Sequence, residues 1–235
     1  MIDSKDILQQ LFKKYPFKSS DLYRLVCGSK HCGVELRNGN NGICSTLGVE
    51  VKNDIVILQQ PDFKKIEHRI LVNAWVNACA NYSLKESGEG DVFEVVDFHQ
   101  YKNIVMIGYF GSLSNKFKNA NIPLTIFDLD PVDKPVAPIE TQKSFLSNAS
   151  AVILTATSIS NMTFNEIIDN TAESADVFIL GPSTTLDIDM LTLPKIKALF
   201  GSKFSQYDSN SLDLIENGGG TKAVLPFINK VYLYK

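Results

Sequence analysis

The feature that most constrains this chain is a rhythm that starts near Tyr101. Short apolar runs, Ile104–Ile107, Leu124–Phe127, Val152–Leu154 and Val177–Leu180, alternate with segments of helical spacing, Leu113–Lys118 and Phe164–Thr171. Val231–Tyr234 adds a last apolar run. Short, almost wholly apolar runs are the pattern of strands buried on both faces. Their alternation with helices predicts a parallel, helix-covered sheet. The expected fold class is therefore α/β. A C-terminal Rossmann-like parallel sheet with helices on both faces, residues 91–235, follows a small α+β domain, residues 1–90.

In the N-terminal part, Ile7, Leu8, Leu11 and Phe12 recur at helical spacing, so 3–14 reads as an amphipathic helix that Tyr15-Pro16 stops. Leu22–Cys27 and Val34–Arg37 read as strands, followed by the turn Asn38-Gly39-Asn40-Asn41-Gly42. The alternating apolar residues of Glu50–Leu58 would extend this part. A second helix is predicted over Phe63–Tyr82, with Asn77 and Ala78 near one face and Trp75 in the core. Glu86-Ser87-Gly88-Glu89-Gly90 is the expected boundary loop, and Asp91 the cap of a short helix that follows.

The chain has 235 residues, 44% of them hydrophobic, enough for a sizeable core. Its net charge of −3 has no basic stripe, so nucleic acid is not an expected partner. Met1–Leu11 lacks the basic start and apolar run of a signal peptide, and no apolar stretch could span a bilayer. A cytoplasmic protein without a membrane partner is expected. Cys27, Cys32, Cys44 and Cys79 should then be thiols, and their spacing is not a zinc pattern. The commonness of two-fold dimers makes a homodimer the default assembly.

Four segments carry the candidate chemistry. Gly108-Tyr109-Phe110-Gly111 follows the first strand, and Asp128 ends the next. Glycines at such a turn let the backbone approach a phosphate, and a strand-end acid can accept from ribose hydroxyls. The full GxGxxG fingerprint is absent, and a plain strand–helix turn explains the same residues. Thr155-Ala156-Thr157-Ser158, Gly181-Pro182-Ser183-Thr184-Thr185 and Gly218-Gly219-Gly220-Thr221 are the other three segments. Small hydroxylated residues at strand ends can hold an anion, although they also cap helices. His31-Cys32 beside Cys27 and Cys44 could make a thiolate–imidazole site, against which stands the tendency of free cysteines to pack in cores. His68 and His99 have no ligand-spaced partner. With no GxSxG elbow, a Ser–His–Asp triad is not expected.

Ile104–Phe110 (IVMIGYF), Thr155–Thr163 (TATSISNMT), Leu180–Thr185 (LGPSTT) and Glu216–Val224 (ENGGGTKAV) together resemble the DUF364 family, for which heavy-metal chelation has been suggested. Gly28–Leu36, Asn38–Gly42 and Asn73–Asn81 (NAWVNACAN) resemble the companion domain DUF4213, which has an enolase N-terminal-like fold. The resemblance implies a ligand cleft between the two domains. Its recurrent residues fall on Asn77, Gly108, Tyr109, Phe110, Thr155, Thr157, Asn161, Thr163, Gly181, Pro182, Ser183, Gly218, Gly219, Gly220 and Thr221. This chain departs from the family pattern at Thr185, where proline is usual, and at Gly111-Ser112.

The leading expectation is a protein that binds a small molecule or a metal chelate in that cleft, with Asp128 and Thr184 included in the site. Any heavy metal would arrive with an exogenous chelator, since glycine, proline, serine, threonine and asparagine are poor ligands for soft metals. The alternative is an enzyme using a nucleotide-like cofactor, S-adenosylmethionine or a dinucleotide, at Gly108–Gly111 and Asp128. A purely structural interaction module is the third class.

Overall fold

A computed structural model describes residues 6–83, 85 and 87–235. The start of the expected first helix, 3–5, and Glu86 of the boundary loop lie outside the described residues. Helix α1 (Ile7–Lys14) begins where Asp6 accepts from the Leu8 N–H, and Lys13 and Lys14 complement its C-terminal dipole. Strands β1 (Leu22–Cys27), β2 (His31–Leu36) and β3 (Asn41–Ser45) form an antiparallel sheet. The alternation in 50–58 does not make a strand. Asp54 caps the one-turn helix α2 (Ile55–Gln59), which turns Ile57 and Leu58 inward and leaves Ile55 and Val56 partly in solvent.

Helix α3 (Ile66–Ala80) is the spine of the molecule. Eleven of its fifteen residues are buried, so it is enclosed on nearly every side. Strand β3 lies directly on it: a Cβ at Gly42 would stand 2.2 Å from the Ala78 nitrogen and 2.3 Å from the Ala74 oxygen.

After β4 (Gly88–Glu89) come α4 (Val92–Val95), opened by an Asp91–Glu94 capping box, β5 (Ile104–Ile107) and α5 (Gly111–Asn119). Strands β6 (Thr125–Phe127), β7 (Ala151–Thr155), β8 (Asp176–Leu180), β9 (Ile196–Phe204) and β10 (Ile228–Tyr234) follow. Between them lie α6 (Gln142–Ser147), α7 (Thr157–Ser160), α8 (Phe164–Asn170), α9 (Ile188–Thr192), α10 (Ser209–Glu216) and α11 (Thr221–Val224). The second sheet has the order β4-β10-β9-β8-β7-β5-β6.

It is parallel from β6 to β9, whereas β10 and β4 add an antiparallel edge. The longest strand, β9, is one the apolar-run pattern does not reveal. Lys197, Gly201, Ser202 and Lys203 interrupt its hydrophobic sequence.

Helices cover both faces of this sheet. On one face Val105, Ile107, Val152, Leu154, Val177 and Ile179 join a continuous core with Leu8 and Leu11 of α1 and Ile70 and Trp75 of α3. On the other, Ile104, Met106, Ile153 and Phe178 pack with Leu113 and Phe117 of α5 and with Phe98. The N-terminal elements thus share a core with one face of the second sheet. No helix among the described residues is long and apolar enough to cross a membrane.

Candidate functional site

Strands β5, β7 and β8 end side by side, with Ile107 opposite Leu154 and Thr155 opposite Leu180. Strand β9 runs on beyond this edge, past Phe200 to Phe204, and carries β10 with it as a wall. His31, Ser45 and Leu47 close the space from the N-terminal part. The result is a crevice of about 1050 Å³ at the carboxyl edge of the parallel strands, where ligands of open α/β sheets bind.

Gly108, Tyr109 and Phe110 all line it. Gly108 has φ +90°, and a Cβ there would stand 2.8 Å from the Cβ of Thr155, so only glycine fits without strain. The Tyr109 N–H donates to Asp128 at 2.6 Å, which folds the chain back into α5. Phe110 offers α5 no side-chain cap, and Gly111, Ser112 and Leu113 of its first turn line the crevice. Their N–H groups have no intrahelical partner. Asp128 also accepts from the Asp130 N–H and from Lys134, so three donors already engage its carboxylate.

The β7 loop supplies Thr155, Thr157, Asn161 and Thr163, all in the lining. The Thr155 and Thr157 hydroxyls are 2.8 Å apart. Asn161 Oδ1 accepts from Thr163, leaving its Nδ2 without a partner among the described residues. Buried Arg69 of α3 holds the loop from behind, donating to the carbonyls of Ile159 and Ser160 while paired with Asp6.

Gly181, Pro182 and Ser183 line the crevice too, but Ser183 is nearly buried and its Oγ accepts from the Ser45 N–H at 3.0 Å. Thr184 lies behind the lining, with its carbonyl taken by Asn81. Asn77 is fully buried and outside the lining. Its amide bonds Ile43, Asn73 and Thr185, so it fixes the Gly181–Thr185 loop from beneath. Asp187, at the far end of this loop, accepts from Tyr15 and Lys14. Burial opposes its ionisation, yet those two donors outweigh burial and hold its pKa below the ordinary carboxylate value.

Of the last segment, Thr221 lines the crevice, whereas Gly218, Gly219 and Gly220 lie behind it, against Ser29, Leu214 and Lys30. They embrace His31. The Gly28–His31 turn sits so close to α10 that a Cβ on Gly28 would meet the Ile215 oxygen at 1.8 Å. His31 is 5% exposed, and its Nε2 lies 3.3 Å from the Thr221 hydroxyl. The Gly219 backbone stands near the ring, although no hydrogen bond of normal geometry reaches Nδ1. Burial lowers the imidazole pKa to about 4, the Gly219 backbone partly opposing it, so the ring is neutral at pH 7.

Cys32 stands opposite both Cys27 and Cys44 in the first sheet, and Cys32 and Cys44 are buried in the core. Cys27 beside it, and then burial, push the Cys32 thiol well above its usual range. Burial alone raises Cys44 to about 11. These are packed thiols. Among the described residues no three His, Cys, Asp or Glu side chains are grouped to hold a metal ion.

The residues that sequence reasoning underrated are Arg69, Asn81 and Lys222, together with His31, which it considered only as a metal ligand beside Cys32. For α3 the signal was present: Arg69, Asn73, Asn77 and Asn81 recur every fourth position in an otherwise apolar helix. A polar stripe inside a buried helix must find partners.

A mostly parallel sheet flanked by helices, with its crevice at the carboxyl edge, defines an α/β protein of the Rossmann-like class. Within that class the chain belongs to the DUF364 family, whose model, described as "Putative heavy-metal chelation", matches residues 91–234. It is similar to a crystal structure of a DUF364 protein of unknown function from Pyrococcus horikoshii, with TM-score 0.82 and 22% identity over 97% of this chain and 99% of that one. A second, from Desulfitobacterium hafniense DCB-2, also of unknown function, gives TM-score 0.75 and 17% identity over 97% and 100% of the two chains. These likenesses concern the fold alone. No curated protein matches the chain.

Proposed function

We propose that the crevice binds a small anionic molecule, taken up as a heavy-metal chelate or as the free chelator. One observation carries this reading: the lining has donors to spare and no free carboxylate. Asp91 is paired with Lys116, and Asp128 with Lys134. Lys222, the Asn161 Nδ2 and the first-turn N–H groups of α5 remain for a ligand. Carboxylate or phosphate groups match such donors.

The family description implies a heavy metal. A cage of protein ligands does not fit: beside apolar and aromatic side chains the lining offers hydroxyls, amides, three lysines, two aspartates already paired with lysines, and one imidazole, and no three metal-ligating side chains are grouped among the described residues. A metal that brings its own carboxylates does fit. Asn161, Thr157 and the α5 amides would hold those carboxylates, and Lys222 would balance their charge. The nucleotide-cofactor reading is less well supported, since Asp128 is already engaged by three donors.

The test is thermal shift and calorimetry with citrate and iminodiacetate, each with and without Cu(II) or Ni(II), beside nucleotides and S-adenosylmethionine. A ligand at 100 times its Kd should add about 2.7 kcal/mol of stability. Lys222→Ala should weaken binding about tenfold without lowering Tm, as expected for a lost charge-assisted hydrogen bond. Asn161→Ala should weaken it similarly but also lower Tm, because the Thr163 bonds to its Oδ1 go with it. A response to nucleotides alone would overturn the reading.

A further inference from the structure

The crevice lining contains one residue whose chemistry differs from all the rest. His31 is the only histidine or cysteine among the lining residues described, and it comes from the β1–β2 turn, outside the matched family segment. The turn that carries it is firmly held. The Gly28–His31 turn closes through the Gly28 N–H to the His31 carbonyl at 2.9 Å, and Thr46 clamps it by two further bonds, to Ser29 and Lys30. The glycines of Gly218–Gly220 let a second loop press against this turn.

The two ring nitrogens are not equivalent. Nδ1 is buried beside the Gly219 backbone, with no hydrogen-bond partner of normal geometry. Nε2 faces the exposed Thr221 hydroxyl across a long 3.3 Å contact. A coordinating imidazole commonly keeps its other N–H toward a backbone carbonyl or carboxylate. Here the Gly219 backbone lies on the Nδ1 side, without a bond of normal geometry, and Nε2 is the nitrogen left to coordinate. A long contact to a hydroxyl is readily exchanged for a stronger partner.

We propose that Nε2 of His31 coordinates the metal of a chelate bound in this crevice, filling a position its own chelator leaves open. The inference rests on the reading above that the crevice takes a metal chelate. It assigns to the protein a single inner-sphere ligand, consistent with the lack of any three-residue ligand cluster among the described residues. It also defines the ligand class: a chelate with an incomplete coordination sphere, favoured over a saturated one. Coordination at Nε2 displaces only the Thr221 contact.

The probe is Cu(II)–iminodiacetate, which leaves coordination positions open, compared with Cu(II)–EDTA, which does not. The full chain with His68→Gln and His99→Gln keeps His31 as its only imidazole. Calorimetry measures binding of each probe, and pulsed EPR reads the imidazole nitrogen next to copper. The expected result is one equivalent of Cu(II)–iminodiacetate with an imidazole signature. Adding His31→Gln should abolish that signature and weaken binding at least about tenfold, with Cu(II)–EDTA affinity unchanged. Binding without an imidazole signature in the parent protein overturns this inference and leaves chelate binding intact, whether or not the His31 variant folds. Equal weakening of both probes by His31→Gln also overturns it. Binding of neither probe by the parent overturns the chelate reading itself.

Discussion

Thr185 donates its hydroxyl to Oδ1 of Asn77 at 2.5 Å, joining the Gly181–Thr185 loop to a helix 108 positions earlier in the chain. Helix α3 thus holds the end of this loop through this side-chain bond. Among the described residues no other donor reaches that Oδ1, while the Asn77 Nδ2 is turned to Ile43 and Asn73. Thr185→Val keeps the shape and strands a buried acceptor, so it should cost about 1–3 kcal/mol. Thr185→Ser should recover most of that. Urea midpoints of the three proteins decide; equal midpoints for wild type and Thr185→Val would show that the bond contributes nothing.

Gly108→Ala tests the tight approach of β5 to β7. Two costs combine there: a left-handed φ of +90° and a Cβ 2.8 Å from Thr155. Gly48, with φ +77° and open space around it, carries only the first. Gly48→Ala should lose about 1 kcal/mol. Gly108→Ala should lose on the order of 2–4 kcal/mol, because crowding is added to strain, and the crevice should distort with it. Comparable losses at the two positions would remove the case for close packing at Gly108.

Acid should weaken the fold in two separate windows. His31 has its pKa lowered by burial to about 4, against 6.5 when unfolded. Between those values the unfolded chain holds a proton that the folded one refuses, so stability falls as pH drops from about 6.5 to 4. The loss is on the order of 3 kcal/mol. Asp6, Asp91 and Asp187 have lowered values, so their contribution persists until the pH falls below the ordinary carboxylate range. Denaturant titrations from pH 7 to 4 should show the upper window in wild type. A His31→Gln protein with the same slope would refute its assignment to His31.

The cysteines should matter to stability and not to binding. Cys32 and Cys44 are buried in the shared core, so Cys32→Ala and Cys44→Ala should each cost about 1 kcal/mol or more through the cavity left behind. Chelate affinity of the folded variants should stay within error of wild type. A folded Cys27→Ser or Cys32→Ala protein that no longer responds to Cu(II)–iminodiacetate would point to thiolate coordination instead.

Much of the frame was legible along the chain. The runs at Ile104–Ile107, Val152–Leu154 and Val177–Leu180 declared buried parallel strands because such strands must be apolar on both faces. Gly108, Thr155, Thr157, Asn161, Thr163, Gly181, Pro182, Ser183 and Thr221 do line one crevice, since loops leaving the same edge of a parallel sheet are neighbours in space. Strand β9 escaped notice because half of it stands beyond that edge, where Gly201, Ser202 and Lys203 replace the apolar pattern. Asn77, Thr184 and Gly218–Gly220 turned out to support the lining from behind.

Local sequence determined the period of each element, the glycine turn at Gly108 and the hydroxyl-rich strand ends, because these depend on residues within one turn or one strand. The tertiary structure alone decided which polar groups are already engaged and which remain free. Asp128 is engaged by Lys134, Ser183 by Ser45 and Asn77 by Thr185, pairings that span from 6 to 138 positions. It also decided that a histidine from the first sheet meets Thr221, 190 positions away, at the wall of the crevice. A hydrogen bond depends on distance and direction in space, and separation along the chain determines neither.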